Sequence, residues 1–211
     1  SGEFVTFVDS DDYVSEDYVA ALREVQLRGN HDVVSAGFVR ITETGSEIPF
    51  QLAKTHEISP SFQGLKPFQL VLGAFRPSIA CARLYRRRFL LQKGLFFKSR
   101  MPHEDLCFTY KALYFAFSCG EVPRGLYFYR QRDDSLSKDV SPAHVDAVFE
   151  QWRDTEDFLK LVGASDLERF LAARRSLILA DGIINRTLGK GACVEPYLVQ
   201  QLSKNIAAFQ K

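Results

Sequence analysis

Three features of the sequence predict an α/β fold followed by a C-terminal helical extension. The chain opens on an apolar run of β-branched and aromatic residues, Glu3-Phe-Val-Thr-Phe-Val8. Such a run suits a strand buried on both faces of an α/β sheet. Up to Ser137, segments of strand and helix character alternate. Beyond it, apolar residues recur only at helical spacing. They are Val145, Val148, Phe149, Trp152, Leu159 and Val162, then Leu167, Phe170, Leu171 and Ile178, then Leu198, Leu202, Ile206 and Phe209. The chain therefore divides into an α/β part, residues 1–137, and an extension of three helices, residues 138–211.

The first strand ends in Asp9-Ser-Asp11-Asp12. Ser15 is placed to cap a helix from about Glu16 to Leu27, with Glu16 and Asp17 in its first turn and Gly29-Asn30 as its stop. Asp32 to Ile41 reads as a second strand. Thr42 to Ser61 is polar, holds Gly45 and two prolines, and reads as a surface excursion. Pro67 to Leu72 reads as a short helix, and Ser78 to Tyr85 fits strand or helix equally. Arg86 to Lys93 reads as a short basic helix stopped by Gly94. Glu104 to Phe117 is helical in character, and Gly125 to Arg132 is a strand with a basic exit. Arg174 and Asp181 fall near the apolar stripe of the middle C-terminal helix, where a partner would satisfy them. A strand of central type at residue 3 also predicts strands ahead of it, so that an upstream part of the fold lies outside this sequence.

Composition excludes several classes. With 27 Lys+Arg against 26 Asp+Glu the net charge is +1, which fits neither a polybasic nucleic-acid binder nor an acidic disordered chain. The 211 residues, 18 of them Phe, are enough for a sizeable core. Cys81, Cys107, Cys119 and Cys193 have no metal-ligand spacing, and reduced thiols suit a chain of this size. No apolar run approaches the ~18–20 residues of a membrane span.

Carboxylates carry the candidate chemistry. In open α/β sheets, ligands sit beyond the carboxyl ends of strands, where Asp9, Asp11 and Asp12 fall. Three acids so close repel unless a cation or a helix start offsets them. Hard oxygen ligands of this kind suit Mg2+ or Mn2+ with substrate phosphates. An Asp-rich turn capping the next helix reads equally well. His103-Glu104-Asp105 opens a helix, where an acidic pair also complements the dipole. Arg130 and Arg132 share side-chain parity and lead into a loop with Ser135 and Ser137. That pattern suits a diphosphate, or an ordinary charged strand end.

The order of the pieces is more specific than any one of them. A strand ending FVDSDD, then SIACARLYRRRFL, HEDLCFTYKAL and LYFYRQRDDSLS, resembles the family 2 glycosyltransferases of the GT-A fold over about Gly2 to Ser137. The resemblance implies a partial GT-A-like, Rossmann-like sheet, lacking the half that holds the nucleobase and ribose. It implies that Asp9 and Asp11 are the acids of a DxD motif. Asp11 would be the principal metal ligand, and Asp9 would help to hold the metal or the nucleotide-sugar. Asp105 would be the general base, flanked by Glu104. Arg130, Arg132 and Ser135 would close over the diphosphate. Asp12 and His103 occupy motif positions without an assigned role.

An inverting transfer from a nucleoside-diphosphate sugar to a saccharide or lipid-linked acceptor fits these residue types. A carboxylate takes the proton of the acceptor hydroxyl, while Mn2+ or Mg2+ and arginines stabilise the leaving diphosphate. The implied setting is bacterial cell-surface polysaccharide synthesis, in the cytoplasm or at the inner face of the membrane. The basic run Arg83, Arg86, Arg87, Arg88 and Lys93 offers either a peripheral contact with anionic lipid or a solvated helix face. An uncovered sheet edge would favour self-association. The competing reading is a non-catalytic glycosyltransferase remnant, serving as a binding or assembly module.

Overall fold

The computed structural model describes residues 2–48, 66–73, 77–98, 104–132 and 141–190, together with 196, 199, 200 and 203. Six strands form one sheet: β1 (Phe4–Thr6), β2 (Tyr13–Val14), β3 (Val33–Ile41), β4 (Glu47–Ile48), β5 (Arg83–Arg86) and β6 (Cys119–Arg130). The helices are α1 (Tyr18–Gly29), α2 (Pro67–Leu72), α3 (Arg87–Gln92), α4 (Glu104–Phe115), α5 (Pro142–Leu161) and α6 (Asp166–Lys190). The strand order is β1-β5-β3-β6-β2, with β4 pairing β3 off this path. β3 and β6 run parallel; the other pairs are antiparallel.

Strand alternation sends neighbouring residues to opposite faces, and both faces are covered. Val34, Leu84, Val122 and Leu126 pack with Tyr18 and Leu22 of α1 on one side. Val33 and Tyr85 pack on the other with Phe68 and Leu72 of α2, Leu106 and Tyr110 of α4, Phe158 of α5 and Leu171 of α6. The C-terminal helices thus share a core with the sheet, and α6 is brought within reach of the loop ahead of β5.

The fold class is the one the sequence predicts, with differences in detail. α1 starts at Tyr18, not Glu16. Ser15 does not cap it: its hydroxyl donates to Asp17 at 2.9 Å, and Asp17 in the cap position makes no side-chain cap bond. Asp17 is drawn away by Arg124, 2.7 Å distant. Asn30 ends the helix in the left-handed region, φ 50°.

β6 begins six residues earlier than the sequence pattern suggests. Gly120 and Pro123 obscure the strand signal, and the register against β3 shifts on either side of Gly37 to absorb the irregularity. A side chain at Gly37 would meet the Arg124 carbonyl at 2.8 Å, so that position needs glycine.

β1 is half-buried and, among the described residues, pairs with β5 alone, at the end of the strand order. The basic run is not one face. Arg83 is buried at 6% exposure and donates to the carbonyls of Pro77 and Ile79. Arg86 binds Asn30 at 2.7 Å and faces Asp32 at 3.4 Å. Arg87, Arg88 and Lys93 are exposed. Arg174 of α6 donates to the Gly73 carbonyl, while the Asp181 side chain falls outside the described residues. Cys81, Cys107 and Cys119 are free thiols, and no described helix is long and apolar enough to cross a membrane.

Candidate active site

The acidic loop between β1 and β2 is organised by Tyr127 of β6. This tyrosine has 0% exposure, and a buried hydroxyl must find partners. It accepts a hydrogen bond from the Asp9 N–H at 3.1 Å and donates to Asp12 Oδ2 at 2.7 Å. The second oxygen of Asp12 accepts from the Arg130 N–H at 2.8 Å, and the Asp12 N–H closes a turn onto the Asp9 carbonyl at 3.1 Å. Burial raises the Asp12 pKa, the bonds from Arg130 and Tyr127 oppose that, and the neighbouring acids add to it. Asp12 is therefore the acid that builds the loop.

The other two acids stay outward. Asp9 is exposed and Asp11 half-buried. Arg132 pairs with Asp11 Oδ2 at 3.2 Å. Arg130 donates from Nε to the Asp11 carbonyl at 3.0 Å and from Nη1 to the Glu43 carbonyl at 3.3 Å. The structure thus brings Asp9, Asp11, Arg130 and Arg132 together at the ends of β1 and β6. Ser135 and His103 lie outside the described residues.

Asp105 occupies the first turn of α4, one residue after the exposed Glu104. Burial is the main cause that pushes its pKa up to about 6. The charges of Glu104 and Asp9 add to this, while the Ala80 N–H, which donates to the carboxyl, and the charge of Arg175 oppose it. The Asp9 charge reaches Asp105, so the two acidic segments lie near one another.

Between them runs the segment 77–82, leading into β5. Ala80 offers its N–H to Asp105 and its carbonyl to the Tyr85 hydroxyl at 3.0 Å. The buried Cys81 thiol, pushed up to about 12 chiefly by burial, bonds the Tyr127 hydroxyl and senses Asp9. Ala82 holds φ 55°, a left-handed conformation that costs a non-glycine residue. Its carbonyl is paid back by the Ala36 N–H at 2.8 Å.

Sequence reasoning missed Tyr127, Ala80, Cys81 and Arg175. Tyr127 lies inside the recognised LYFYR segment, and its inward parity opposite Val14 was the available signal. Nothing local marks Ala80, which acts through its backbone, or Arg175, which reaches the site from α6.

Among the described residues no group of three or more His, Cys, Asp or Glu side chains is gathered to hold a metal. Asp9 and Asp11 supply two carboxylates, a donor set that suits Mg2+ or Mn2+ once substrate phosphates complete the shell.

The fold is shared with TarS of S. aureus. TarS 1–349, solved with UDP-GlcNAc, aligns over 88% of this chain and 49% of its own, with a TM-score of 0.54 and 22% identity. The same protein solved with UDP gives a TM-score of 0.51 at 20% identity. In sequence the chain is similar to EpsH of Bacillus subtilis, a glycosyltransferase by name, at 30% identity over 61% of this chain and 38% of that protein. It is also similar to the glycosyltransferase GlyA of Streptococcus pneumoniae, at 25% identity over 100% of this chain and 32% of that protein. No family model matches the chain. The chain is thus similar in sequence to parts of two glycosyltransferases and shares its fold with part of TarS. It spans about a third of the length of the curated relatives it matches.

Proposed function

We propose that this chain carries the catalytic acids of an inverting, metal-dependent glycosyltransferase. It would move a sugar from a nucleoside-diphosphate sugar to a saccharide or lipid-linked acceptor in cell-surface polysaccharide synthesis. The observation that carries the reading is the segment 77–82, which meets the Asp9–Asp11 loop through Cys81 and the half-buried Asp105 through Ala80. The names of the relatives support the transferase class, and the fold shared with a UDP-GlcNAc-binding protein supports a nucleotide-sugar donor.

In this mechanism the acceptor hydroxyl attacks the anomeric carbon as Asp105 takes its proton. The bond from that carbon to the diphosphate oxygen breaks, and the electron pair leaves with the diphosphate. A carboxylate whose pKa is about 6 is mostly ionised at neutral pH, yet basic enough to accept a proton in the transition state. Arg130 and Arg132 face the leaving group with charge-assisted donors, and Glu104 binds hydroxyls of the donor or acceptor sugar. Asp11, helped by Asp9, would hold Mn2+ or Mg2+, which supplies charge stabilisation to the departing diphosphate.

Titration calorimetry with Mn2+ or Mg2+, with and without UDP or GDP, tests the assignment. Metal should bind more tightly when the diphosphate is present, and Asp11→Asn should abolish the gain. Equal metal binding by Asp11→Asn overturns the assignment.

A further inference from the structure

The two arginines at the exit of β6 hold Asp11 in different ways. Arg130 is fixed at three points: its N–H donates to Asp12 Oδ1 at 2.8 Å, its Nε to the Asp11 carbonyl at 3.0 Å and its Nη1 to the Glu43 carbonyl at 3.3 Å. Arg132, two residues beyond the end of β6, holds the carboxylate itself, with Nη2 3.2 Å from Asp11 Oδ2. The Arg132 side chain is 42% exposed and that of Asp11 33%. An ion pair this open to water contributes little, because solvent screens it and two side chains must be ordered to make it. Arg132 can therefore leave the Asp11 carboxylate at small cost, whereas Arg130 gives up two carbonyl bonds if its side chain moves.

A carboxylate has lone pairs enough for a guanidinium and a metal ion together, so room does not separate them. Charge does. Arg132 on Oδ2 sets a positive charge one carboxylate away from any cation held by Asp11, and like charges so close repel. A diphosphate reverses the sign, since its oxygens draw the guanidinium into charge-assisted bonds. We propose that Arg132 ties metal binding to diphosphate binding: paired with Asp11 it opposes a metal ion that comes alone, and it passes to the diphosphate when both ligands are present. This rests on the reading of Asp11 as a metal ligand and of the donor as a nucleoside-diphosphate sugar.

The test uses the chain with Mn2+ and with UDP, or GDP if wild type binds that more tightly. Electron paramagnetic resonance of free Mn2+ gives the metal affinity without nucleotide, and calorimetry gives the nucleotide affinity at saturating Mn2+. Arg132→Ala should bind Mn2+ alone about three- to tenfold more tightly than wild type. The same variant should bind the nucleotide with Mn2+ about tenfold more weakly. Arg132→Lys, which keeps the charge, should return both values toward wild type. If the alanine variant does not fold, Arg132→Gln repeats the test with the charge removed. Mn2+ bound alone no more tightly than by wild type overturns the proposal, and so does an unchanged nucleotide affinity. Asp11→Asn separates the proposal from the reading beneath it. If Asp11→Asn binds Mn2+ with nucleotide as wild type does, the metal assignment falls and the role of Arg132 with it. If Asp11→Asn loses that binding while Arg132→Ala matches wild type, only the role of Arg132 falls.

Discussion

The acidic loop after β1 and the acidic start of α4 use the same residue types in opposite surroundings. In the loop, Asp12 is given two donors, the Tyr127 hydroxyl and the Arg130 N–H, and so ties the loop to β6. At the helix start, Asp105 is half-buried and largely desolvated, with one backbone donor and with like charges from Glu104 and Asp9 near it. The first acid serves the fold. The second is held in a state the fold alone would not choose, which is how a carboxylate is made ready to take a proton near neutral pH.

The largest effect that tests this contrast is on turnover. In a protein preparation that transfers sugar, Asp105→Asn should lower kcat by about 10²–10⁴-fold, since the shape stays and the proton acceptor goes. Steady-state rates with a parallel donor-binding titration check it, and donor affinity should change little. If Glu104→Gln lost turnover instead, the two roles would be exchanged.

Next in size is the tyrosine that organises the loop. Tyr127→Phe leaves the Asp9 N–H and one Asp12 oxygen without their partner and should lower stability by about 1–3 kcal/mol. Denaturant melts measure this directly. The smallest effect belongs to Asp9→Asn. Asp9 is exposed and its side-chain tie is to the weak Cys81 thiol donor, which an Asn oxygen can also accept, so stability should shift by less than about 0.5 kcal/mol. The three substitutions together rank the site by what each group does for the fold.

The sequence made the elements legible wherever a local signal agreed with the final packing. Pro67 opens α2 and Leu72 closes it, Gly94 with φ 61° ends the basic helix, and α4 begins on Glu104. Local signals misled where a tertiary partner outweighed them. Arg124 takes the Asp17 side chain that would cap α1, and the β3–β6 pairing carries Gly120 and Pro123 through a shifted register. The acids and arginines of the candidate site were legible because motif order marks them. Tyr127, Ala80 and Arg175 were not, because their roles arise from contacts across the fold and, for Ala80, from backbone alone.

Removing the acceptor at Asp12 and the charge at Asp105 tests the contrast most directly. Asp12→Ala leaves the Tyr127 hydroxyl and the Arg130 N–H without their acceptor and should lower stability at pH 8 by about 1–3 kcal/mol. Asp105 has a folded pKa raised from 3.8 to about 6. Below about pH 4 the folded and unfolded chains both hold its proton. Between about 4 and 6 the unfolded chain releases it first and stability falls, and above about 6 the full loss stands. Asp105→Asn should therefore raise stability at pH 8 by about 1–3 kcal/mol, a gain that fades as the pH is lowered toward 4. Denaturant melts of the two variants beside wild type should give opposite signs at pH 8. A loss of stability in both would contradict the account, because Asp105 would then be serving the fold as Asp12 does.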